Sequence, residues 1–136
     1  MSEEPVRTYD AREANAALPL VRQLTVRIVE TMAEMPELED ALRIARYKAA
    51  RGGPSSGSDG EVGRREAAIE EAQAELLRAI RQLDEMGVQL KDPHEGLVDF
   101  LSYRDGELVE LCWKLGEPVV GHWHRIGEGF PGRKPL

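Results

Sequence analysis

Ala14, Leu18, Val21, Thr25, Ile28, Met32 and Met35 recur at alternating spacings of four and three. That rhythm draws one narrow stripe along an α-helix, the seam of a helix packed lengthwise on another as in a coiled coil. Asp10 is placed to cap the helix, with Glu13 three residues later where a capping box wants it. Asn15 follows with no evident structural reason. Pro19 falls inside the pattern, and the spacing favours a helix that begins near Ala11 and tolerates the proline close to its start. Past Pro36, the residues Leu38, Leu42, Ala45 and Ala49 keep the period to about Arg51. A kinked continuation and a fresh helix starting at the proline both fit.

A second seam, Ile69, Gln73, Leu76, Ile80 and Leu83, marks a helix over 64–86 with Gly87 as its C-cap. Between the two, 52–63 reads GGPSSGSDGEVG, the composition of a flexible loop. The segments 9–51 and 64–86 should fold back as an antiparallel helical hairpin. Their lengths disagree, however. At about 1.5 Å per residue, the second helix reaches back only to about residue 29. The seam from Ala14 to Ile28 therefore needs another partner, either the C-terminal sheet or a second copy of the chain, and the mismatch argues for a homodimer.

After Gly87 the apolar period shortens to two. GLVDFLS, ELVELCWK and VVGHWH read as three strands joined by YRDG and KLGEP turns, and RIGEGFPGRKPL as a tail running over the surface. The expected class is α+β, a long antiparallel helical hairpin followed by a three-stranded antiparallel β-meander over 88–136. A chain of 136 residues suits a single domain.

Composition narrows the function. A net charge of −7 opposes phosphate binding, so no nucleic-acid partner is expected, although Arg43, Arg46, Lys48 and Arg51 gather locally. One cysteine cannot form an internal disulfide, no stretch approaches a membrane span, and the polar start is no signal peptide. These point to the cytoplasm.

The candidate chemistry lies in the twenty residues LCWKLGEPVVGHWHRIGEGF. His122 and His124, two apart on a strand, share a face and can both reach one transition-metal ion. If Arg104 and Glu107 flank a two-residue turn, Asp99 pairs with Cys112. The next register then decides whether the histidines join that pair or lie opposite it with Trp113. Asp99, Cys112, His122 and His124 form a metal set on one register, and histidines packed with tryptophans on the other. Cys112 alone reads as a small buried hydrophobe rather than an activated nucleophile.

YDAREANAALP, GVQLKD, GLVDF, LCWKLGE, WH and GFPGRKP, in that order, resemble the bacterial and archaeal domain-of-unknown-function family 2203. The resemblance runs from Tyr9 to the C-terminus and skips only 52–63. It departs at Ala17-Leu18-Pro19, where the family has Leu-Leu-Pro, and at Leu101, where a proline is frequent. It implies boundaries and no activity. Glu13, Asn15, Asp92, Asp99, Cys112, Glu117, His124 and Arg133 are the polar residues inside its motifs.

Two functions emerge from this reading. One is a homodimeric interaction or small-ligand-binding module, with a pocket where Asp99, Glu117, His124 and Arg133 meet Glu13 and Asn15 at the start of the first helix. The other is a metal-binding protein or metalloenzyme using His122, His124, Asp99 and Cys112. The sequence carries no direct sign of catalysis and names no substrate, ligand or protein partner.

Overall fold

The protein is described here by a computed structural model covering residues 6–52 and 58–136. Helix α1 spans Ala11–Gly52 and helix α2 spans Ser58–Glu85. Five strands follow: β1 (Val88–Asp92), β2 (Leu97–Arg104), β3 (Glu107–Lys114), β4 (His122–Arg125) and β5 (Lys134–Pro135). They form one antiparallel sheet in the order β1-β2-β3-β4-β5.

Asp10 and Glu13 open α1 with the reciprocal bonds of a capping box. The Glu13 amide donates to Asp10 Oδ1 at 2.7 Å, and the Asp10 amide to Glu13 Oε1 at 3.1 Å. The helix then runs unbroken through Pro19 and Pro36. Both rings lie on its exposed side, where water can serve the carbonyls that lose their amide partners. The seam residues Ala14, Leu18, Val21, Thr25 and Ile28 are buried as their spacing requires.

Those residues face the sheet. Val88, Val98, Phe100, Leu111 and Trp113 point from its inner side into a core shared with Ala14, Leu18, Val21, Leu24 and Ile28 of α1 and Ala79 and Leu83 of α2. Each fully buried Val, Leu, Ile or Phe among them contributes roughly 1.5–3 kcal/mol. The sheet is thus the partner that the length mismatch called for, and the mismatch itself no longer requires a second copy. Among the described residues no helix is long and apolar enough to cross a membrane.

Three expectations change. The sheet has five strands, not three. β1 adds VQLKD to one edge, with Val88 and Leu90 turned to the helices, and β5 adds the tail to the other. The tail does not simply run over the surface: the Leu136 amide donates to the Gly121 carbonyl at 2.9 Å, and Lys134 pairs with Trp123. The glycine-rich loop is shorter than 52–63. Gly52 ends α1, Ser58–Gly63 already belong to α2, and the remainder lies outside the described residues. An i,i+4 ion pair from Glu61 to Arg65 at 3.6 Å and the half-buried Val62 help the helix carry Gly60 and Gly63.

Candidate metal centre

The YRDG hairpin closes with Asp105 at φ 52° and Gly106 at φ 79°, the left-handed pair a two-residue turn demands. Arg104 then faces Glu107, and counting inward Asp99 faces Cys112, as the turn predicted. On the far side of β3, Cys112 faces His122 and Glu110 faces His124. The register is therefore the one that puts both histidines on the Asp99–Cys112 face, away from the helices, while Trp113 points into the core.

This outer face is covered. Asp99, Cys112 and His124 are at most 2% exposed. The cover is the segment after β4, whose short 3-10 turn Phe130–Gly132 leads into Arg133. The Arg133 guanidinium lies on the Phe130 ring at 4.2 Å and grips Glu117 with both terminal nitrogens, one at 3.0 Å. The same nitrogen that makes the 3.0 Å bond stands 3.8 Å from Cys112 Sγ. Glu117 also accepts the Lys114 amide at 2.8 Å. Held by Arg133 first and by that amide as well, its carboxyl titrates below the usual range.

One ligand atom each from Asp99, Cys112 and His124 lie within 4.8 Å of one another. His124 Nε2 is 3.1 Å from Asp99 Oδ2, and His124 Nδ1 is 2.8 Å from the Arg125 carbonyl oxygen. A carbonyl only accepts, so Nδ1 carries a proton and Nε2 is the nitrogen turned on the carboxylate. Two acceptors at that distance need a proton or a cation between them. The other Asp99 oxygen, Oδ1, is buried with no hydrogen-bond partner. Leaving such a group unmet costs about 1–3 kcal/mol. Burial, with Asp99 alongside, pushes the Cys112 thiol up to about 12, against the opposing pull of Arg133. Without a metal it stays protonated and inert.

His122 shares the face but not the cluster. Its Nδ1 points to Glu117 Oε2 at 3.7 Å and makes no hydrogen bond. Glu13 and Asn15 do not join Glu117 and Arg133 in a pocket, because α1 lies on the opposite side of the sheet. Asn15 has a structural task there. Its Oδ1 accepts the Val120 amide at 2.8 Å, and its Nδ2 donates to the Val120 carbonyl at 3.2 Å, so α1 holds the connection between β3 and β4.

Glu110 was missed. It is 7% exposed and lines a cavity of about 220 Å³ with Asp99, His124, Lys91, Leu97 and Phe130. The signal was present: an acid between Val109 and Leu111, two residues from Cys112, must share its face.

The family model described as uncharacterized conserved protein (DUF2203) matches residues 7–136. No curated protein and no solved structure matches the chain.

Proposed function

The chain belongs to the uncharacterised conserved protein family DUF2203, and on that premise we propose that it binds a divalent transition metal of the zinc class through Asp99, Cys112 and His124. The observation that carries this reading is the convergence of three different donor atoms within 4.8 Å inside a sheet, where burial is otherwise costly. In a tetrahedral zinc site, bonds of about 2.0–2.3 Å separate the ligand atoms by roughly 3.3–3.8 Å. The His124 Nε2–Asp99 Oδ2 distance is 3.1 Å, and Cys112 lies within 4.8 Å of both partners. The His124 Nδ1–H bond to the Arg125 carbonyl is the outer contact that fixes a metal-binding imidazole. Asp99 Oδ1 is buried without a partner, and His124 Nε2 lies 3.1 Å from the other oxygen of the same carboxylate. A thiolate and an imidazole favour zinc, cobalt or their neighbours over calcium and magnesium. Binding would displace the Cys112 proton, since only the thiolate is a ligand.

The test is elemental analysis of untagged protein prepared without chelator, with zinc competition titrations on wild type and His124→Ala. About one zinc per chain is expected in the wild type, with affinity at least tenfold weaker in the variant. At a hundredfold excess over the wild-type Kd, zinc should also add about 2.7 kcal/mol to wild-type stability and at most about 1.4 kcal/mol to the variant. No metal in the wild type, together with titrations that match between the two proteins, would overturn the reading.

A further inference from the structure

Three protein ligands leave one tetrahedral position to something else. On the Cys112 side the Arg133–Glu117 pair closes the cluster. On the Asp99 and His124 side lies the cavity of about 220 Å³. Glu110 forms one wall. It sits directly across the strand pair from His124, on the same face as Cys112, yet is not among the converging ligand atoms. Its side chain is 9% exposed, and its cation neighbour, Lys91 Nζ, stands 3.8 Å away, beyond hydrogen-bond distance. A buried carboxylate so placed accepts hydrogen bonds from whatever enters. Leu97 and Phe130 supply apolar surface to the same space.

Resting on the metal reading above, we propose that this cavity binds a small amide-like molecule. Its oxygen completes the metal's coordination, its N–H donates to Glu110, and its apolar end lies against Leu97 and Phe130. Each requirement of an amide plane has a counterpart: a Lewis acid for the carbonyl oxygen, an acceptor for the adjacent N–H, and the side chains of Leu97 and Phe130 for the hydrocarbon end. Size restricts the class. At the ~30 Å³ that each water takes in the liquid, a cavity of about 220 Å³ has room for about seven non-hydrogen atoms.

The probe is acetohydroxamate, which presents metal-binding oxygens and a neighbouring N–H, added to the cobalt(II)-loaded protein and followed by its visible absorption. N-methylacetohydroxamate serves as the comparison lacking that N–H, and Glu110→Gln as the variant. Acetohydroxamate should shift the cobalt spectrum saturably. Its affinity should fall about tenfold or more in Glu110→Gln, the loss expected of a hydrogen bond to a charged group. The N-methyl analogue should bind weakly and alike to both proteins. If cobalt binds but the spectrum ignores acetohydroxamate, the fourth position is closed and the proposal fails while the metal reading stands. If acetohydroxamate binds both proteins equally, or the N-methyl analogue binds as well as the parent, Glu110 does not read an N–H and the proposal fails again. If cobalt itself does not bind, both readings fall.

Discussion

Replacing Asn15 with alanine tests whether one side chain anchors the connection that delivers His124 to its site. The amide of Asn15 meets both backbone groups of Val120, at 2.8 and 3.2 Å, and Val120 is 2% exposed. Two hydrogen bonds at about 0.5–1.5 kcal/mol each are lost, and two sheltered backbone groups are left short of partners. The gross loss is then about 2–3 kcal/mol. Alanine recovers roughly 0.5 kcal/mol through its better helix propensity. The net expectation is about 2 kcal/mol. For 136 residues, at ~2.1 cal/mol/K of unfolding entropy per residue, this lowers the thermal midpoint by about 7 °C. Urea denaturation followed by circular dichroism gives the free energy, and calorimetry the midpoint. A loss under about 0.5 kcal/mol, or an unchanged midpoint, would falsify the assignment of Asn15 as an anchor.

Two further perturbations test other joints of the fold. Arg133 depresses the Glu117 carboxyl, so the native state gains stability above the ordinary carboxylate pKa and loses it as pH falls through the lower folded value. Glu117→Gln should cost about 1–2 kcal/mol at neutral pH, and midpoints measured from pH 7 to pH 3 should converge with wild type at the acid end. A constant gap would mean that the ion pair contributes nothing. Gly96 holds φ 73°, and an added Cβ would lie 2.7 Å from Leu115 Cβ and 3.1 Å from Thr25 Cγ2. Gly96→Ala should therefore cost about 2–4 kcal/mol in urea denaturation, and a cost below 1 kcal/mol would show that the turn yields.

What could be read in the chain was local. The Asp10–Glu13 box, the seam from Ala14 to Ile28 and the Asp99–Cys112 pairing each follow from a cap, a period or a two-residue turn. What could not be read depended on distance. The register of β4 is set across a seven-residue connection, from Leu115 to Gly121, in which Asn15 holds Val120 and the Trp113 indole donates to the Glu117 carbonyl. Turn chemistry alone does not fix such a span. Strand β5 is two residues, one of them proline, too short to show a period. Pro36 left two helical paths open because its cost depends on whether it faces water, which only packing decides. Glu110 could have been found by extending the alternation that located Cys112.

The cover on the cluster also has a place in time. Cys112 and the arginine that stands over it are 21 residues apart along the chain. At ~5–20 residues per second, synthesis leaves about one to four seconds between them. Asp99, Cys112 and His124 all precede Arg133 in the chain, His124 by nine residues, so the three donors are made before the side chain that covers them. The cover over the cluster can therefore form only once the chain has been made as far as Arg133.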